Sequence, residues 1–349
     1  MELKQLIGRI EPLDERAMSA AQHRQNTLTK PPGSLGRLET LSIQLAGMRG
    51  QERPKFKHKA VIVMAADHGV TAEGVSAYPA EVTPQMVQNF LHGGAAINAL
   101  ARTAGARVVV VDMGVAAELP PHADLISRKI GLGTANIARS PAMSREQAVQ
   151  SILAGAEVIL DEGRKGLDVV ALGDMGIGNT TPSAAVACAI LGTAPEAIVG
   201  RGTGVDEAGL LRKRRVVQQA LDVNRPNPHD GLDVLAKVGG FEIGGLVGVI
   251  IAAAGRRIPV VLDGFITTAA ALIAVQLAPG VRPYLIASHC SEEEGHGRML
   301  AHLKVQPLFN YGLRLGEGSG AALALPVIEA AARVLDEMAT FAEAGVSGQ

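Results

Sequence analysis

The rhythm of apolar and polar positions changes near residue 58. Residues 2–28 space apolar and charged side chains as a helix does, and Lys30-Pro31-Pro32-Gly33 interrupts that pattern. Ser34–Met48 then resumes it, with Leu35, Leu38, Leu41, Ile43 and Leu45 forming an apolar face. From Ala60 onward the chain carries short, nearly continuous apolar runs: Ala60–Met64, Arg107–Val111, Asp168–Ala171, Ile258–Leu262 and Pro283–Ala287. Continuity without alternation predicts strands covered on both faces, as in parallel sheets. The Ala- and Leu-rich segments between them, such as Ser183–Leu191 and Thr268–Leu277, predict the covering helices. Ile243–Gly255 predicts a buried helix rich in small residues, and Ala321–Ala344 a long helix that Pro326 either kinks or starts. The fold class expected is α/β, with a mostly parallel, Rossmann-like sheet flanked by helices.

Each run ends in a polar residue near glycine or in a Ser/His cluster. These ends are Asp67-His68-Gly69, Asp112-Met113-Gly114, Gly173-Asp174-Met175-Gly176, Asp263-Gly264 and Ser288-His289-Cys290-Ser291. One such end would be an ordinary turn. Five predict a shared functional edge, because parallel α/β sheets bind ligands beyond the carboxyl ends of their strands.

Composition narrows what that edge can bind. Aromatic residues make up 3% of the chain, and 33 Lys+Arg stand against 34 Asp+Glu. Neither a stacking platform for single-stranded nucleic acid nor a basic phosphate-backbone surface is expected, so the partner is a small molecule. The longest apolar stretch is too short to span a bilayer, and the N-terminal residues lack the apolar core of a secretory signal. Two isolated cysteines, Cys188 and Cys290, form no disulfide framework. A soluble cytoplasmic protein with no membrane anchor is the expectation.

Gly173-Asp174-Met175-Gly176-Ile177-Gly178-Asn179-Thr180-Thr181-Pro182 joins a predicted strand to a predicted helix. Thr181 could cap that helix, with Pro182 in its first position. Its glycines suit close approach of an anion to a helix N-terminus. Asn179 stands where a Walker A loop needs Lys, and Thr181 where a dinucleotide fingerprint needs its third Gly, so a monophosphate site fits best. A ligand-free turn remains the alternative. The loop Gly200–Asp206 is followed by Arg212-Lys213-Arg214-Arg215, from which Lys213 could reach an anion, although spacing does not single it out. Glu317 lies between Gly316 and Gly318, where it is either a ligand contact or an exposed carboxylate ahead of a helix. The His289–His296 segment lacks zinc-ligand spacing, so polar contacts to substrate, above all from Ser291, are favoured over metal. Cys188, in an Ala-rich helical stretch, reads as core.

Taken together, several motifs resemble one family. They are Thr29–Glu39, Ala65–Val70, Gly176–Thr181, Arg201–Gly204, Gly239–Ile243, Leu262–Phe265 and Leu315–Gly320. In order and content they resemble the nicotinate-nucleotide–dimethylbenzimidazole phosphoribosyltransferases of cobalamin assembly, from about Thr29 to Pro326. The resemblance implies transfer of the 5-phosphoribosyl group of nicotinate mononucleotide to 5,6-dimethylbenzimidazole, with no cofactor and no metal. It implies Glu317 as general base, with Asp174 and Asp263 as carboxylates able to ease positive charge at C1′. Tyr78, Met86, Met175 and Leu315 are implied as the base pocket. Gly176, Gly178, Asn179, Thr180, Gly202, Lys213, Asp263 and Ser291 are implied as the nucleotide site. The family usually has Glu where Asp174 stands, one methylene longer. It further implies a homodimer and two domains: residues 58–304, and a smaller helical domain from residues 1–57 plus 305–349. A Rossmann-type oxidoreductase and a non-catalytic nucleotide-binding protein are the competing readings. The first needs an acidic residue about 20 positions beyond the Gly loop, where this chain has the Gly200-Arg201-Gly202 loop instead.

Overall fold

A computed structural model describes residues 2–202 and 204–347. Thr203, within the Arg201–Gly204 motif, lies outside the described residues.

Six parallel strands form one sheet: β1 Lys59–Ala66, β2 Ala106–Gly114, β3 Leu125–Ser127, β4 Val169–Met175, β5 Val260–Leu262 and β6 Leu285–Ala287. Their order is β3-β2-β1-β4-β5-β6. All five pairings are parallel, and β1 pairs with β4 from Lys59↔Val169 to Ala65↔Met175. This order reverses direction between β1 and β4, the switch point beyond whose carboxyl ends doubly wound sheets bind ligands. Every residue of β1 is buried, as the continuous apolar run requires of a central strand covered on both faces.

The five apolar runs all fall on strands, but the strand boundaries differ from those of the runs. β4 continues through Gly173, Asp174 and Met175, so the polar residues read as a turn belong to the strand itself. β5 starts only at Val260, and Pro283 sits in a 3-10 turn, Pro279–Tyr284, that precedes β6. β3 gave no apolar run because it is three residues long and partly exposed at the sheet edge.

Among the helices, Phe241–Ala254 is buried at every position. It crosses Arg145–Arg164 at close range, since a Cβ at Gly155 would lie 1.9 Å from the Gly245 carbonyl oxygen. Among the described residues, no helix is long and apolar enough to cross a membrane. The helix Thr180–Leu191 begins earlier than the sequence suggested. Asn179 holds its N-cap position, and Thr181 is buried within its first turn. The amphipathic N-terminal stretch divides into Leu3–Ile7 and Glu15–Thr27, and Arg37–Arg49 follows. Ser319–Glu337 runs through Pro326. It packs both on the helices Glu15–Thr27 and Arg37–Arg49 and on β1, β4 and β5.

Candidate active site

Beyond the carboxyl ends of β4, β5 and β6 lies a cleft of about 310 Å³. Of the sequence-predicted residues, Tyr78, Asp174, Asn179, Thr180, Gly202, Ser291 and Leu315 line it, together with Gly264, His289, Glu293, Arg314 and Gly316. The other two strand ends have different roles. Asp112 Oδ1 accepts from the backbone N–H groups of Gly114 and Val115, and Asp112 pairs with Lys129 at 3.1 Å. Asp67 Oδ2 accepts from Ala116 N. These are turn-stabilising carboxylates, so the expected five-strand edge reduces to three.

One wall is formed by Asn179 and Thr180, where the loop that starts at Gly176 ends; the predicted Gly176 and Gly178 do not line the cleft themselves. Gly176 is close to the end of β1, because a Cβ there would meet the Ala66 carbonyl oxygen at 2.3 Å. Beneath it His68 Nε2 lies 2.7 Å from Glu242 Oε1, a fully buried pair. Gly178 has φ +85°, in the left-handed region that glycine occupies without steric cost. The loop therefore presents the first turn of the helix Thr180–Leu191 to the cleft, where N–H groups and dipole favour an anion.

Lys213 stands directly behind this wall, its Nζ donating to Thr180 Oγ1 at 2.9 Å. It is the one buried member of the basic run, 1% exposed. Helical spacing explains the choice: Leu210, Val216 and Val217, three to four residues away, share its inward face. Burial lowers its pKa to about 8, opposed by the nearby Glu293 carboxylate. Burial in turn raises the Glu293 pKa, which Lys213 counteracts. Arg314 donates to the Gly202 carbonyl at 3.4 Å and adds a second cation to the wall. Sequence reasoning missed Glu293 and Arg314, although Arg314 lies just before the Leu315–Gly320 motif.

Arg314, Leu315 and Gly316 line the cleft where they lead into the loop of Glu317, which does not itself line it. Gly316, Glu317 and Gly318 have φ +84°, +62° and +90°. A glutamate in that region is uncommon and costs conformational energy that the fold around it must supply. Three contacts hold it there. A Cβ at Gly173 would lie 2.4 Å from the Glu317 carbonyl oxygen, so the loop rests directly on β4. Asp263 Oδ2 accepts from Gly318 N at 3.1 Å, and its Oδ1 from Ala321 N at 3.0 Å. The Glu317 carboxylate accepts from the backbone N–H of Ile97. Its Oε2 is buried without a hydrogen-bond partner. Burial raises the Glu317 pKa, partly offset by Ile97.

Asp263 is thus placed as the cap of the helix Ser319–Glu337, and it does not line the cleft. Burial raises its pKa to about 7, against the pull of the backbone donors it satisfies. Asp174 accepts from Asn179 Nδ2 at 2.9 Å. Burial first, then the Asp263 charge, raises its pKa to about 8. Met86 and Met175 are partly buried against the core and do not line the cleft, whereas Tyr78 and Leu315 are 56% and 57% exposed at it.

With this geometry in view, the relationships of the chain are informative. A protein-family model described as phosphoribosyltransferase matches residues 10–346. The nicotinate-nucleotide–dimethylbenzimidazole phosphoribosyltransferase of Roseiflexus sp. (strain RS-1) is 62% identical over 347 residues, 99% of this chain and 98% of that one. The chain belongs to the nicotinate-nucleotide–dimethylbenzimidazole phosphoribosyltransferase family. The enzyme of the same name from Chloroflexus aurantiacus (strain ATCC 29366 / DSM 635 / J-10-fl) is 60% identical over 98% of this chain and 97% of its own. The crystal structure of the family member from Thermus thermophilus superposes with a TM-score of 0.92 at 49% identity, covering 97% of this chain and 100% of that one. The Thermus thermophilus structure thus shares the fold described above over nearly the whole chain.

Proposed function

We propose that the cleft transfers the 5-phosphoribosyl group of nicotinate mononucleotide to 5,6-dimethylbenzimidazole, giving α-ribazole 5′-phosphate and nicotinate. The observation that carries this reading is the buried, unpartnered Oε2 of Glu317 on a strained loop whose preceding residues, Arg314, Leu315 and Gly316, line the same cleft as Asn179 and Thr180. The phosphate would sit at the helix Thr180–Leu191, with Lys213 and Arg314 supplying charge. One nitrogen of the base attacks C1′ while Glu317 takes the proton from the other. The bond from C1′ to the nicotinate ring nitrogen breaks, and its electron pair neutralises that cationic nitrogen, so nicotinate leaves without an acid. Attack from the face opposite the leaving group turns the β linkage into α. A carboxylate whose pKa is raised by burial is a stronger base, and a positioned base contributes about 10²–10⁴-fold.

Asp174 is the second catalytic carboxylate in this reading. It holds a proton in the ligand-free protein, the cationic nucleotide favours its ionised form, and in that form it eases positive charge at C1′. Asp263 holds the Glu317 loop through Gly318 N and Ala321 N. Tyr78 and Leu315 form the exposed side of the base site, with Met86 and Met175 behind them. The acting unit is a cytoplasmic homodimer, supported by the family resemblance and by two cysteines that form no disulfide. Its protomer divides into residues 58–304 and a helical part from residues 1–57 plus 305–349.

Glu317→Gln tests the base. It keeps the side-chain volume and one acceptor for Ile97 N–H, so nicotinate mononucleotide binding is retained while turnover falls by at least about 100-fold. An unchanged rate removes Glu317 from this role.

A further inference from the structure

His289 is a polar, cleft-lining side chain for which the proposed chemistry has no task. It is 2% exposed, and it sits at the end of β6 between Gly264 and Ser291. Its protonation pattern can be deduced from its neighbours. Ser288 Oγ lies 3.0 Å from the Asp263 carbonyl oxygen, which can only accept, so the serine hydroxyl is the donor there. Ser288 Oγ also lies 2.9 Å from His289 Nδ1. With its one proton already committed, the hydroxyl accepts, and Nδ1 carries the ring proton. Nε2 is then a bare acceptor, with no hydrogen-bond partner among the described residues. A Cβ built on Gly264 would be 3.8 Å from that Nε2, which places the atom at the cleft wall.

The ring cannot readily change this state or position. Phe309 stacks on it with centroids 6.1 Å apart and planes within 14°. The backbone of Gly320 is so close that a Cβ there would overlap Nδ1 at 2.0 Å. Burial lowers the His289 pKa to about 4, so the imidazole is neutral at physiological pH. A neighbouring relay works the same way. Ser291 N donates to His296 Nδ1 at 2.8 Å, which leaves His296 Nε2 to donate to Thr268 Oγ1 at 2.9 Å. His296 thereby fixes the Ser291 backbone beside His289.

A neutral acceptor is a poor partner for phosphate or carboxylate, which offer no proton when ionised. It demands a donor. We infer that His289 Nε2 accepts a hydrogen bond from a ribose hydroxyl of the nucleotide, making His289 a determinant of specificity for ribo- over deoxyribonucleotides. This rests on reading the cleft as the nicotinate mononucleotide site, where the sugar hydroxyls are the donors the substrate carries. Ser288 is the positioning residue that sets the tautomer.

The experiment compares kcat/KM for nicotinate mononucleotide with that for its 2′-deoxy and 3′-deoxy analogues, in the wild type and in His289→Phe and His289→Asn. The intrinsic effect of a missing hydroxyl on C1′ cancels when the ribo/deoxy ratio is compared between proteins. So does any loss of folded fraction, because each ratio is taken within one preparation. The expected result is a ratio for one analogue that is at least about tenfold larger in the wild type than in His289→Phe. The analogue concerned tells which hydroxyl is bound. His289→Asn, whose amide oxygen can accept, keeps part of the discrimination. Equal ratios in wild type and both variants, for both analogues, would overturn the inference. Absence of nicotinate release by the wild type would instead overturn the transferase reading on which it rests.

Discussion

Gly173→Ala is the sharpest probe of how the sheet holds the proposed base. The new methyl carbon would lie 2.4 Å from the Glu317 carbonyl oxygen, 2.7 Å from its carbon and 2.9 Å from Gly318 N. All three are backbone atoms, so no side chain can rotate away. Ordinary contact begins at 3.4 Å, and the loop must therefore retreat by about 1 Å. Misplacing a reacting group by about 1 Å costs on the order of 100-fold in rate. Overpacking of this kind costs about 1–3 kcal/mol of stability, partly offset by the lower entropy of an unfolded chain with Ala for Gly. In a chain of this length, that is a fall in Tm of only a few degrees, roughly 1–4 °C. Initial rates of nicotinate release and a thermal melt on the same preparation separate the two effects. The expected outcome is kcat reduced about 100-fold, with KM for nicotinate mononucleotide little changed because Thr180 and Lys213 lie on the other wall. A folded Gly173→Ala enzyme with the wild-type kcat would refute the claim that β4 positions Glu317.

Two titrations extend the test. Lys213, with its pKa lowered to about 8, loses its charge as pH rises through that value. The prediction is that kcat/KM for the nucleotide falls above about pH 8, by up to tenfold per unit, and that Lys213→Met has a low value without this limb; a flat profile from pH 8 to 9 in the wild type contradicts it. Asp174 has a folded-state pKa of about 8, well above the ordinary 3.8. The native state therefore holds a proton that the unfolded chain gives up, so this residue's contribution to stability declines as pH rises from about 4 to 8. Asp174→Asn should flatten the decline in Tm over that window and melt above the wild type at pH 8, and an unchanged slope would show that Asp174 does not retain its proton in the folded protein.

What could be read in advance divides along physical lines. Central strands announce themselves because burial on both faces demands unbroken apolar runs, as in β1. The edge strand β3 does not, because three partly exposed residues have no such constraint. Local glycine geometry was also legible: the Gly176–Thr180 and Gly316–Gly318 loops border the cleft, which Asn179, Thr180 and Gly316 line. Partnerships across long sequence separations were not. Nothing in Asp263-Gly264 indicates that its carboxylate caps a helix 55 residues away at Gly318. Nor does Ser288-His289 reveal a fixed tautomer, since it depends on a carbonyl 25 residues earlier. Lys213 is an intermediate case. Its inward position follows from its spacing to Leu210 and Val217, a signal present in the sequence but masked by three neighbouring cations.

The transferase account is tested most directly by incubating the protein with nicotinate mononucleotide and 5,6-dimethylbenzimidazole, and identifying products by mass and by the anomeric proton. The prediction is one nicotinate released for each α-ribazole 5′-phosphate formed. No nicotinate release with this base or with adenine, benzimidazole or phenolic acceptors would contradict it.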